Sequence, residues 1–273
     1  MLAPQVSHIV SPLCAMRAFC GMSGAGQIGL RTALLAALLV VAPLNHAFAA
    51  CDPAAPRRTI ELSAGQHIGG AAKGFVAAPL REHEIILTFD DGPNPETTPL
   101  ILDMLEANCV PATFFLIGPS ASAFPELVKR EIANGHAIGG HTWSHEVLTE
   151  KPIVTPIADI TRGFRPLTAV GAQANLFRFP SMSSSIELLD WLKRHGIAAV
   201  GADIDTDAAP DAKPGATLEA IKSQLRKKGR GVVLLKDSDP NTVKLLPGLI
   251  EFLRRERYTV VRLKPPSPDQ SSG

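Results

Sequence analysis

Asp90 and Asp91 stand side by side in Thr88-Phe-Asp-Asp-Gly-Pro93, directly after the apolar run Ile85–Phe89. Two adjacent carboxylates at a strand end can divide labour: one binds a metal while the other stays free as a base. Asp-Asp-Gly taken alone is more often a turn. His141 and His145 follow in Gly140-His-Thr-Trp-Ser-His145. Their four-residue spacing presents both imidazoles to one ion if the segment turns helically. With Asp91 they make two histidines and a carboxylate, a set suited to zinc or another borderline metal with positions left open for water and substrate. Arg178, in Phe177-Arg-Phe-Pro180, could pair with a carboxylate base and hold its orientation. Asp203, Asp205 and Asp207 alternate along the chain, so they divide between the two faces of a strand end; a solvated acidic loop is the plainer reading. Lys236 closes the run Val232-Val-Leu-Leu-Lys236, as a cation on the same rim or as a snorkelling side chain.

Each of these residues ends a short apolar run, and the runs alternate with helical patterns. Strands are expected at 85–89, 112–117, 137–138, 176–179, 198–204, 231–235 and 258–263. Helices are expected at 100–108, 124–134, 153–170, 186–195, 216–228 and 242–255, several of them stopped by glycine. Strands alternating with helices predict an α/β domain with a parallel sheet. The number suits a barrel short of eight strands; an open doubly wound sheet fits the alternation equally well. In both, residues just past the strand ends share one functional rim. Residues 50–80, rich in Pro, Ala and Gly, read as an extended arm or linker to a domain over 81–264, and 265–273 as a disordered tail.

The chain has 273 residues, 45% of them apolar, enough for one large core. Its net charge of +1 and lack of a basic run argue against nucleic-acid binding. Two Trp and one Tyr leave few stacking platforms for sugars. Residues 1–49 read as a leader containing a signal peptide: Arg31, an apolar run over 32–41 too short to span a membrane comfortably, and Ala47-Phe48-Ala49 as a small-x-small cleavage pattern. Met22 is an alternative start, because the residues before it lack the pattern of a signal. An uncleaved anchor and lipid attachment at Cys51 are the competing readings of this segment. A periplasmic or secreted protein with no stable membrane span after cleavage follows. In such a compartment Cys51 and Cys109, the two cysteines beyond the leader, could form a disulfide; one buried and one exposed thiol is the alternative.

In order, and each at a strand end, these residues together resemble the polysaccharide deacetylase domain, carbohydrate esterase family 4, over about Glu84 to Leu263. Thr88–Pro93 is similar to the family's first motif, His141–His145 to its second and Arg178-Phe179-Pro180 to its Arg-x-Pro motif. The resemblance implies a distorted (β/α) barrel, here with about seven parallel strands. It implies Asp90 as catalytic base, Arg178 as the residue steering it, and Asp91, His141 and His145 as ligands of a divalent metal, zinc ahead of cobalt or another borderline ion. It also implies an acetylated glycan as partner, such as peptidoglycan or a chitin-like oligomer, losing N-acetyl or O-acetyl groups. Three positions depart from the family pattern. Ser181 stands where an aromatic residue usually follows Pro180, leaving Pro180 and Ser181 as candidate substrate contacts. The stretch Asp203–Ala209 replaces an Asp-Trp motif, with Asp203 and Asp207 as further candidates. Lys236 replaces the general-acid histidine, which opens a second reading: a catalytically impaired, glycan-binding relative.

Overall fold

A computed structural model describes residues 58–205 and 213–267. The leader, Cys51 and Asp207 lie outside the described residues. The strands are β1 (Thr59–Glu61), β2 (His67–Ile68), β3 (Glu84–Gly92), β4 (Thr113–Leu116), β5 (Ala137–Gly140), β6 (Leu176–Phe177), β7 (Ala198–Val200), β8 (Ile204–Asp205), β9 (Gly231–Lys236), β10 (Thr259–Val260) and β11 (Arg262–Lys264). Between them run α1 (Thr98–Ala107), α2 (Gly118–Ala123), α3 (Pro125–Ala133), α4 (Val154–Ala169), α5 (Ile186–Arg194), α6 (Pro214–Lys228) and α7 (Pro240–Arg255). Local chemistry explains several boundaries. Ser185 caps α5 by accepting the Leu188 N–H, and Asp239 caps α7 by accepting the Asn241 N–H with Pro240 in the first turn. Gly229 ends α6 in the left-handed conformation, φ 71°. No described helix is long and apolar enough to cross a membrane.

Nine strands form one sheet in the order β2-β7-β6-β5-β4-β3-β9-β8, with β10 also on β3, and every pairing is parallel. β8 ends that order and β7 stands one strand in from the other end, yet only Gly201–Asp203 separates them in the chain. So short a connection reaches no further than about 14 Å. The two edges must therefore approach each other, and the sheet curls into a distorted (β/α) barrel. The run expected as one strand over 198–204 is thus two strands on opposite sides of the seam.

Strand alternation sorts the core. Ile85, Leu87 and Phe89 of β3 pack with Val233 and Leu235 of β9 against α1 and α7. Ile86 and Val232 face the other way, with Ile60, Leu62, Ile68 and Leu80. Those last four residues correct the reading of 50–80 as a linker. From residue 58 the segment belongs to the barrel: β1 pairs with β11, β2 extends the sheet beside β7, and its apolar side chains close the inside. Its Pro, Ala and Gly content masked a few well-placed aliphatic residues. Likewise Pro265 and Pro266 are buried, and Asn175 donates to the Pro266 carbonyl at 3.2 Å, so the fold continues past 264.

Candidate metal centre and catalytic rim

The same alternation aims Thr88 and Asp90 inward from β3 beside Ile86. Asp91 should then point to the helices. Instead its φ is 70° and the pairing of β3 with β4 slips between Asp90 and Gly92. This irregularity turns the second carboxylate back toward the first. Asp90 is buried, and its Oδ1 accepts from Nη1 of Arg178 at 2.7 Å. Arg178 is wholly buried, and each of its three guanidinium nitrogens donates a hydrogen bond. Nη1 also donates to Thr88 Oγ1 (2.7 Å), Nε to the Val200 carbonyl (3.0 Å) and Nη2 to the Gly201 carbonyl (2.8 Å), while its plane lies 4.3 Å over the Phe115 ring. Such a planar, multiply bonded cation fixes the rotamer of its carboxylate partner.

Beside this pair, Oδ1 of Asp91 lies 3.0 Å from Nε2 of His145 and 3.5 Å from Nε2 of His141, and the two nitrogens are 3.2 Å apart. The Asp91 oxygen is buried and makes no well-aligned hydrogen bond. Nδ1 of His141 sits 2.8 Å from the Arg178 carbonyl, which can only accept. Nδ1 therefore carries the proton and Nε2 presents its lone pair to the cluster. Three donor atoms aimed at one point suit a divalent cation of the zinc class, so the residues fit the metal that the sequence suggests. Burial holds His141 below its usual pKa and keeps it neutral, whereas the Asp91 carboxylate raises that of His145. Burial works against ionisation of Asp91, but His145 and Lys236 outweigh it and hold the carboxyl well below its usual range. The two histidines do not sit on a helical turn as their spacing suggested. Thr142 (φ 70°) and His145 (φ 57°) are left-handed, and they fold a loop that brings the rings together. That loop is anchored from α4: Asp159 accepts from the Ser144 N–H and hydroxyl, and Gly163 meets Thr142 so closely that a Cβ there would lie 2.6 Å from its carbonyl carbon.

Lys236 ends β9 opposite Asp90 in the ladder, and its Nζ donates to Oδ2 of Asp91 at 2.8 Å. Asp90, Asp91, His141, His145, Arg178 and Lys236 thus converge at the carboxyl ends of β3, β5, β6 and β9, the functional rim of such a sheet.

The sequence profile described as Polysaccharide deacetylase matches residues 77–200. A chitooligosaccharide deacetylase of Sinorhizobium fredii is 34% identical over 161 residues, covering 57% of this chain and 73% of that protein. The chain belongs to the polysaccharide deacetylase family. A peptidoglycan-N-acetylglucosamine deacetylase of Bacillus cereus is 31% identical over 195 residues, 69% of this chain and 91% of that protein. Among solved structures, a peptidoglycan deacetylase of Bdellovibrio bacteriovorus superposes with a TM-score of 0.70 at 26% identity, over 78% of this chain and 60% of that one.

In this member of the polysaccharide deacetylase family, the remaining candidates separate. Pro180 is buried, and Ser181 is exposed beside the rim with φ 53° in a short 3₁₀ turn. Asp203 is drawn away from the cluster. Its Oδ1 accepts from the Gly70 N–H (3.0 Å) and its Oδ2 from the Val232 N–H (2.8 Å), tying β2, the β7–β8 seam and β9 together. Each of its carboxylate oxygens thus accepts from backbone, a structural engagement that the sequence reading of Asp203 as a substrate contact did not include. Asp237 was overlooked as a site residue. It is fully buried, its N–H donates to the Asp90 carbonyl (2.8 Å), and its Oδ2 accepts from Thr98 (2.8 Å) so close to Gly92 that a Cβ there would meet it at 1.8 Å. Burial, opposed by the Thr98 hydrogen bond and reinforced by the nearby Asp91 charge, pushes its pKa up to about 7. The glycine beside two acids was the available signal.

Proposed function

We propose that this protein removes acetyl groups from an N-acetylated glycan outside the cytoplasm, using a divalent cation held by Asp91, His141 and His145. The observation carrying this reading is the pairing of a buried, Arg-fixed Asp90 with that three-atom cluster. Such a cation, when bound, supplies Lewis acidity that polarises a carbonyl oxygen and acidifies water. Asp90 Oδ2, 4.0 Å from the His141 Nε2 and on the side away from Arg178, is placed to take a proton from water as the water oxygen attacks the acetyl carbon. The Arg178 guanidinium, bonded to Asp90 Oδ1, holds that carboxyl group in place through this transfer. Negative charge develops on the acetyl oxygen, and the Lys236 ammonium supplies a fixed positive charge on the same rim. Collapse expels the glycan nitrogen, which must gain a proton as the C–N bond breaks, leaving acetate and a free amine. Peptidoglycan or a chitin-like oligomer is the substrate class suggested by the named activities of the relatives, with O-acetyl groups as a variant. The signal-like leader and the disulfide at Cys109 support an oxidising compartment.

Acetate release from a panel of acetylated glycans, with and without chelator, tests the reading. Asp90→Asn should lower turnover by about 10²–10⁴ with metal content unchanged. Metal loss in that variant would mean the two aspartates have exchanged roles, and chelator-insensitive turnover would remove the cation. A second reading, an impaired relative that binds glycans without turning them over, is favoured by Lys236 at the place of the proton donor; retained glycan affinity with no acetate release would select it.

A further inference from the structure

We infer that Lys236 is a positioning residue for the cation site: its ammonium claims one oxygen of Asp91, biases that carboxylate toward a single ligand atom, and weakens cation binding. The inference rests on the reading that Asp91, His141 and His145 hold a divalent ion. The two oxygens of Asp91 face different partners. Oδ1 looks toward the two imidazole nitrogens at 3.0 and 3.5 Å, and Oδ2 meets the Lys236 ammonium at 2.8 Å. The ammonium is held there by the backbone. Lys236 is the last residue of β9, in ladder register with Asp90, and the following Asp237 N–H donates to the Asp90 carbonyl. Its Cα therefore cannot drift relative to the aspartates.

Two consequences follow from this placement. A carboxylate oxygen that accepts a short charge-assisted hydrogen bond is a weaker donor to an ion, so Asp91 offers Oδ1 in preference to Oδ2. The three ligands with neutral histidines carry one negative charge, and the ammonium cancels it, so a dication is drawn to a site of no net charge. A protonated lysine has no lone pair and cannot compensate by coordinating. A neutral side chain at 236 should therefore free Oδ2 and restore the negative charge.

The test uses the full chain. Zn²⁺ affinity is measured by chelator competition for the wild type, Lys236→Met, Lys236→Gln and Lys236→Arg, and the visible spectrum is recorded for each after Co²⁺ loading. The neutral variants should bind Zn²⁺ at least tenfold more tightly than the wild type, while Lys236→Arg stays within about twofold. Cobalt absorption should weaken in the neutral variants as coordination number rises, and it should persist in Lys236→Arg. A folded neutral variant with wild-type or weaker Zn²⁺ affinity overturns the electrostatic role, and an unchanged cobalt spectrum overturns the bias on Asp91. If no form of the protein binds Zn²⁺ or Co²⁺, the cation site itself fails. If only the wild type and Lys236→Arg bind, the cation site stands and this inference is overturned.

Discussion

At the residue scale, adjacency of Asp90 and Asp91 is informative only because the backbone departs from regular strand geometry between them. Regular alternation would send the two side chains to opposite faces. The left-handed Asp91 was not readable from an Asp-Asp-Gly tripeptide, whose commonest use is a turn. The pairing of His141 and His145 was legible as residue types at a spacing, but the loop that joins them was not. Lys236 bears on proton delivery. A free lysine, with a pKa of about 10.4, holds its proton too firmly to be an efficient donor near neutrality. An amide cannot readily expel an unprotonated amine, whereas an ester loses an alkoxide more easily. Lys236→His should therefore raise amide hydrolysis proportionally more than ester hydrolysis on matched N- and O-acetyl substrates. Taking the ratio of the two rates removes any change in metal occupancy, and an unchanged ratio would dismiss this account. Asp237 makes a pH prediction. Its folded pKa of about 7 lies above the 3.8 of a free carboxyl, so the folded state keeps a proton that the unfolded chain gives up. Stability from this group is complete below about pH 4 and declines as pH rises toward 7. Asp237→Asn keeps an acceptor for Thr98 and cannot ionise. Thermal melts should show it more stable than wild type at pH 8 and no more stable at pH 4; parallel pH profiles for the two proteins would contradict the assignment.

At the scale of elements, the site depends on segments that carry no chemistry themselves. Arg178 leaves the end of β6 and is held by the carbonyls of Val200 and Gly201, at the end of β7 where the chain crosses the seam. Asp203 closes that seam, and it lies two residues from Gly201. Removing its side chain leaves the Gly70 and Val232 N–H groups without their acceptors, each costing about 1–3 kcal/mol when buried. Asp203→Ala should lose about 2–4 kcal/mol in urea unfolding, discounted from that sum because both groups are only partly buried, and Asp203→Asn should lose less because an acceptor remains. A wild-type midpoint in Asp203→Ala would show that the clasp contributes nothing. In sequence the residue looked like part of an acidic loop, since its partners are 133 and 29 residues away. α4 plays the matching role for the histidine loop, through Asp159 and Gly163, and no local pattern marks either residue.

At the scale of the whole molecule, Cys109 follows α1 and is disulfide-bonded, while its expected partner Cys51 lies outside the described residues. Thiol counting on denatured, non-reduced protein should find neither Cys51 nor Cys109 free. Reduction should destabilise the fold by about 2–4 kcal/mol, read as a lower unfolding midpoint. Two free thiols would refute the pairing. The sequence by itself determined the α/β alternation, the parallel sheet and the rim on which Asp90, Asp91, His141, Arg178 and Lys236 fall. Those follow from short-range periodicity and from the rule that strand ends of a parallel sheet share one edge. It could not choose between a closed and an open sheet. That choice was made at the β7–β8 crossing, where a short connection forces two distant edges together and the inner aliphatic residues of 60–80 fill the space between. Nor could it show that Asp203 would hold the seam while Asp237 packed beneath the aspartate pair. Both are strand-end acids of the same type, and only the distance from each carboxylate to backbone far away in the chain assigns them different work.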